Sequence, residues 1–307
     1  VAAFRAGTAN RLVYSNNPSG DPTKAAAAYT YQILAGYLQD TWSINDDLRV
    51  SYGLRGETYT VGDKPALNPN FVTRNGFDNQ ATYDGMSIIM PRASFNWTAP
   101  ADIRVSGGIG LFSGGLPDVF LSNSFSNTGV LTVGVDIQRQ ADGTFRDLNN
   151  SPAFNQTVGA AALNGLVGPN FGRSVPASVL AILGGTNPPV NAETNSVAKD
   201  LEVPSEWKLN VAATGEAFGL RLGADLVYNQ VQTGYAFRDL SARPLIVNGV
   251  QALTPDGRLR YDGLTLAAQR NAIPGQVVTS VAPAGGANRD IQMYNPKGDL
   301  GNTFVLA

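Results

Sequence analysis

The chain contains no cysteine and no histidine. Without cysteine it has no disulfide and no thiolate metal site. Without histidine it has no His-ligated zinc site and no Ser-His or Asp-His hydrolytic pair. Charge is scarce as well. Only 15% of its 307 residues are Asp, Glu, Lys or Arg, against roughly 25% in an average soluble protein. A net charge of −2 offers no basic field to nucleic acid. Nowhere do 18 apolar residues run together, so no transmembrane helix is expected. Strands remain open to the chain. They hide an apolar face by alternation, and a mean hydropathy of −0.09 does not argue against a bilayer. No enzyme activity, cofactor or metal site is expected.

What is present is alternation. Leu48, Val50, Tyr52 and Leu54 fall on one face of a run, and Arg49, Ser51, Gly53, Arg55 and Glu57 on the other. That is a strand with one greasy and one wet side. From Asp47 to Tyr59 it is longer than the roughly 5–6 residues of a soluble strand. It meets the roughly 9–11 residues that a tilted strand needs to cross a bilayer. Asn45-Asp46-Asp47 reads as the turn before it, because Asn and Asp bond their own backbone and tolerate left-handed geometry.

The same pattern recurs along the chain. Strands are expected at about 29–42, 46–61, 87–99, 102–113, 203–214, 218–232, 289–295 and from about 302. The facing of the first is open, since Tyr31, Ile33 and Tyr37 compete with Leu34, Leu38 and Trp42. Turns are placed at Asn45, at Ala99-Pro100-Ala101, at Gly215-Glu216 and at Pro296-Lys297-Gly298-Asp299. Long connections lie between: about 25 residues after 61, the whole of 114–202, and about 50 after 232. Within 114–202, Val130–Gln138 reads as a strand standing above the membrane and Val175–Leu183 as a short helix. Arg11-Leu12-Val13-Tyr14 reads as another short strand, in a lead-in loop of residues 1–28.

Alternating tight and long connections distinguish this order from a soluble sandwich, which turns every 8–12 residues. Outer-membrane barrels put short turns on the periplasmic side and long loops outside. The fold class expected is therefore all-β: a partial antiparallel up-and-down transmembrane β-barrel of about eight strands, forming one domain over 1–307. An open sheet is expected, because eight strands close only into a narrow, side-chain-filled barrel.

Tyr37-Leu38-Gln39-Asp40-Thr41-Trp42, a turn, and Leu48-Arg49-Val50-Ser51-Tyr52-Gly53-Leu54-Arg55-Gly56-Glu57 resemble the barrel hairpin of TonB-dependent outer-membrane transporters. Pro91–Trp97 followed by Arg104–Phe112 resembles a second piece. The nearest subgroup carries an N-terminal carboxypeptidase-regulatory-like domain, and the resemblance runs with gaps from about Ala25 to the end. It implies a barrel of roughly 22 strands, a plug domain absent from this sequence, and energy supplied by the inner-membrane protein TonB. The ligand it implies is a siderophore, oligosaccharide or peptide. The chain begins at Val1 without Met or signal peptide and stops in what reads as a strand, so it is expected to be an internal fragment. The expected location is the outer membrane of a Gram-negative bacterium, with its lipid as a partner. A passive porin or a surface-adhesion barrel is the alternative function.

Eight charged residues are expected to face the lumen: Arg49, Arg55, Glu57, Arg92, Arg104, Lys208, Arg221 and Asp225. Two readings stand. They line a substrate path or grip a plug, or they are the ordinary polar lining of a wet lumen, which is the plainer account. Tyr29, Tyr31, Trp42, Tyr59, Trp97, Trp207, Phe218 and Tyr235 are expected as interfacial anchors. Residues 114–202 are expected to capture ligand at the cell surface, since binding concentrates on long loops.

Overall fold

The computed structural model describes residues 9–149, 151–165, 174–184, 188, 192–240, 242, 245–260, 290–298 and 300–306. The strands are, in chain order, β1 (Arg11–Asn16), β2 (Tyr31–Ser43), β3 (Leu48–Val61), β4 (Ser87–Ala99), β5 (Ile103–Phe112), β6 (Val133–Arg139), β7 (Phe145–Asp147) and β8 (Asn195–Val197). They continue with β9 (Ser205–Ala217), β10 (Leu220–Thr233), β11 (Ala236–Asp239), β12 (Ile246–Val247), β13 (Val250–Gln251), β14 (Ile291–Tyr294) and β15 (Asn302–Leu306). Four short helices join them: α1 (Pro69–Asn75), α2 (Asp118–Ser126), α3 (Gln156–Asn164) and α4 (Ala177–Gly184). Among the described residues no helix is long and apolar enough to cross a membrane.

Seven strands form one antiparallel wall in the order β15-β10-β9-β5-β4-β3-β2. Its end strands, β2 and β15, do not pair with each other, so the sheet is open as expected. The long strands arise from uninterrupted period-two alternation. β3 runs 14 residues and pairs 13 of β2 in continuous register, from Tyr31 with Val61 to Ser43 with Arg49. Gly53 permits that close pairing, because a Cβ there would lie 2.6 Å from the Leu38 carbonyl oxygen.

Three tight turns lie at one end of the wall. In the first, the Asn45 side chain accepts from the Asp47 and Leu48 amides, at 3.0 and 2.8 Å. The second is Pro100–Asp102. The third is not at Gly215-Glu216. Those residues continue β9, and the chain reverses through Phe218 and Gly219, at φ 56° and 74°. A two-residue hairpin with both positions left-handed matches the right-handed strand twist. Phenylalanine is a poor signal for such a position, which is why the sequence pointed three residues too early. Phe218 is therefore a fully exposed rim residue and not part of a strand.

The fourth expected turn is overturned. Ile291–Tyr294 is a strand, but it pairs with β11 antiparallel and β8 parallel in a separate sheet. Asn302 pairs with Gln230 near the far end of β10, so the chain around Lys297 belongs to the loop end of the wall. Asp299 and residues 261–289 lie outside the described residues, as do residues 1–8 of the lead-in.

Above the wall stands a folded cap. Residues 114–202 are not a plain loop: they hold α2, β6, β7, α3, α4 and β8. The short strand and helix expected there are present as β6 and α4, and the one near Arg11 is β1. One core joins Tyr59 and Val61 of β3 to Leu116, Phe120, Leu121, Phe125, Val197, Val203 and Met293. Tyr29 stacks on Phe125 at 4.2 Å. A second core packs Val133, Val135 and Ile137 of β6 against Leu163, Val179, Ile182 and Leu183 of α3 and α4, with β1 at its side. Helix α1 shows why so short a helix holds. Asn68 caps it by accepting from two amides, Pro69 opens it, and Gly76 ends it at φ 79°.

Candidate functional site

Directly paired residues of neighbouring strands point to the same side of a sheet, so register assigns every wall residue to a face. One face carries Leu48, Val50, Tyr52, Leu54, Phe95, Trp97, Leu220 and Leu222. All are apolar or aromatic, and Leu54, Trp97, Leu220 and Leu222 are more than 40% exposed. The opposite face carries Arg49, Arg55, Glu57, Arg92, Arg104, Lys208, Arg221 and Asp225. The eight residues singled out in the sequence thus share one side. Glu206 and Glu216 join them, opposite Phe112 and Arg221. Sequence reading missed both. Glu206 keeps step with Lys208 and was legible by parity, whereas Glu216 was hidden by the misplaced turn.

These side chains fall into three groups along the polar face. At the turn end, Arg49, Arg104 and Arg221 line one cavity of about 460 Å³ with Asp46 and Asp47. At mid-height, Arg92 and Lys208 flank the Phe112 ring, 5.5 and 5.9 Å from its centroid. They border a cavity of about 360 Å³ with Ser94, Asn210 and Asn229. Glycine makes that arrangement possible, since a Cβ on Gly110 would lie 3.0 Å from Phe112 and 3.1 Å from the Arg92 side chain. Lys208 also pairs with Glu206 at 2.6 Å. Towards the loop end a third cavity, about 590 Å³, shares Phe112, Glu206 and Lys208 with Pro204, Val231 and Tyr235. Arg55 and Glu57 instead pair with each other at 2.8 Å. Asp225 shares the face but lines none of these three cavities. The three cavities lie on this side of the wall, each bordered by residues of several strands, and they follow one another from the turn end to the loop end.

The expected aromatic anchors divide. Trp42, Trp97 and Trp207 lie on the apolar face by register. Tyr29, Tyr31 and Tyr59 do not anchor anything to a membrane. Tyr59 is buried on the polar-face side, Tyr29 stacks in the cap core, and the Tyr31 hydroxyl donates to Asp118. The alternation of β3 continues into the cap, and there the face that lower down carries Arg49, Arg55 and Glu57 meets the cap core. Tyr235 packs on Phe237 at the mouth of the wall.

The cap holds the most deeply buried ionic group. Arg74 donates to both carboxylate oxygens of Asp290, at 3.1 and 3.0 Å, with both side chains about 3% exposed or less. Asn75 and the Thr194 amide donate to the same carboxylate. The network ties α1 to the segments entering β8 and β14. Tyr83 is fully buried and donates to the Pro117 carbonyl at 2.9 Å, and burial pushes its phenol well above the usual range. Among the described residues no cluster of acidic side chains is placed to hold a metal ion.

Long two-faced antiparallel strands, tight turns at one end and a folded cap at the other define a membrane-barrel wall. Comparison with family models agrees: residues 1–280 match the outer membrane beta barrel domain family. The chain belongs to that family, and its place is the Gram-negative outer membrane. No curated protein and no solved structure matches it.

Proposed function

We propose that this chain supplies part of the wall and the surface cap of a transporter that takes up a ligand too large for porins, driven through TonB. The apolar face meets outer-membrane lipid and the polar face lines the lumen, with the cap on the extracellular side. The observation that carries the reading is the polar face. Seven strands spread ten charged side chains and several glycines over an unclosed surface. A barrel closing at this strand number would have that side filled with packed side chains. A wide lumen needs a plug to keep the membrane tight, and the arginines at the turn end stand where a plug's periplasmic side would be gripped. The TonB-dependent character rests on the hairpin resemblance at residues 37–57. The cap, with its own cores, presents the ligand-capture surface.

Conductance of the whole protein in a planar bilayer tests this without knowledge of the ligand. The expected result is a closed barrel that opens only when a denaturant such as urea loosens the plug. A large, steady, ohmic conductance in plain buffer would favour the passive-porin reading.

A further inference from the structure

The seven wall strands contain eleven charged side chains, and register puts ten on the polar face. The exception is Asp40. It pairs with Tyr52 across β2 and β3, on the face that carries Leu54, Phe95 and Trp97. The Tyr52 hydroxyl donates to its Oδ2 at 2.9 Å, and the Thr41 amide donates to its Oδ1 at 2.8 Å. Two donors fix the carboxylate but leave half of its roughly four acceptor positions free. Among the described residues no lysine or arginine forms a salt bridge with it.

Position decides what can complete it. Asp40 lies four residues above Ile44, where the first tight turn begins. At a strand rise of about 3.3 Å and a tilt of about 40°, that is about 10 Å above the rim. Trp42 lies on the same face, between Asp40 and the turn. Tight turns belong to the periplasmic side, and Trp42, about 5 Å nearer the turn, marks the interfacial belt, so the carboxylate sits on the periplasmic side of the midplane. The cost of a charge on the lipid face falls from the midplane towards the interface and is smaller for a carboxylate than for Arg or Lys. Asp40 stands on an end strand of the wall, so its counter-charge comes either from the lipid side or from the strand that flanks β2 in the whole barrel.

We propose that Asp40, Tyr52 and Trp42 form a headgroup site for a lipid bearing a primary ammonium, in the periplasmic leaflet. The ammonium donates hydrogen bonds to the free acceptor positions of Asp40, and the Trp42 ring face adds a cation–π contact. A quaternary ammonium has no N–H to donate and fits the site less well. The proposal rests on the lipid-facing reading of the apolar face, and not on transport.

The test uses the full-length protein in nanodiscs of equal phosphatidylethanolamine and phosphatidylcholine. Lipids retained on the protein are counted by mass spectrometry. Wild type is expected to enrich the ethanolamine lipid about two- to fivefold, the scale of one interfacial ion pair. Asp40→Asn should abolish the preference and Tyr52→Phe should reduce it. Heat-modifiable gel migration confirms that each variant assembles. Equal retention by wild type and Asp40→Asn would overturn the proposal. A photo-crosslinking residue at Leu38, on the same face, separates the other outcomes. Lipid adducts that favour ethanolamine support the site, and adducts without headgroup preference refute it alone. Adducts only to protein refute it in favour of a membrane-protein partner. Absence of any lipid adduct would strike the lipid-facing reading itself.

Discussion

Two buried groups in the cap bear most on single-residue behaviour. The Arg74–Asp290 pair is nearly closed to water, so each charge depends on the other. Removing one partner of such a pair costs roughly 3–5 kcal/mol, because the survivor is left uncompensated. Asp290→Ala should therefore loosen the cap while the wall still assembles, and Arg74→Met with Asp290→Leu should do less damage than either single change. Limited proteolysis of the cap on intact outer membranes reads this, with cleavage rising for the single variants. Tyr83 gives a pH signature. Its phenol is raised by burial, so the folded cap holds that proton when the unfolded chain has lost it. Its contribution is complete below the ordinary tyrosine value of about 10 and falls as the pH rises beyond it. Proteolytic protection of the cap should fall as the pH rises above about 10, and Tyr83→Phe should flatten that part of the profile. An unchanged profile in the variant would assign the loss to other tyrosines.

Each wall strand meets two uniform environments, and that makes the strands the most legible part of the molecule. Val211 and Asn210 are neighbours in β9 and face opposite ways. An arginine on the lipid face near the midplane costs roughly 2–4 kcal/mol. Val211→Arg should lower the assembled fraction in the outer membrane severely, and Asn210→Arg should leave it near wild type. Equal damage would mean that the faces are wrongly assigned. β3, β4, β5, β9 and β10 were readable for this reason, because a period of two records the two solvents directly. The cap was not. β14 has the composition of a strand, but its partners β11 and β8 lie far away in sequence, and no local pattern names them. Tyr59 and Val61 keep the alternation of β3 and yet lie in an apolar core where the same face lower down carries charges. The Phe218-Gly219 turn escaped because phenylalanine, not the usual Asn, Asp or Gly, holds its first left-handed position. At the polar face, the eight charges were legible by parity. Their grouping around Phe112 and at the turn end depended on register between strands about 100 residues apart.

At the scale of the whole molecule, wall and cap are one construction. The upper third of β3 is buried by α2 and the approach to β9, so the surface layer is rooted in the barrel wall and does not hang from it as free loops. Beneath it the polar face carries ten charged side chains between the mouth and the turns, and the apolar face carries a single carboxylate. The central claim is that these two faces meet water and lipid respectively. Absence of cysteine from the chain makes it directly measurable. Single cysteines at Ala93, Ser94, Asn210 and Val211 would be exposed, in intact cells with permeabilised outer membranes, to a charged maleimide that cannot enter hydrocarbon. The account predicts labelling at Ser94 and Asn210 and protection at Ala93 and Val211. Labelling that ignores this alternation, or that favours Ala93 and Val211, would contradict it.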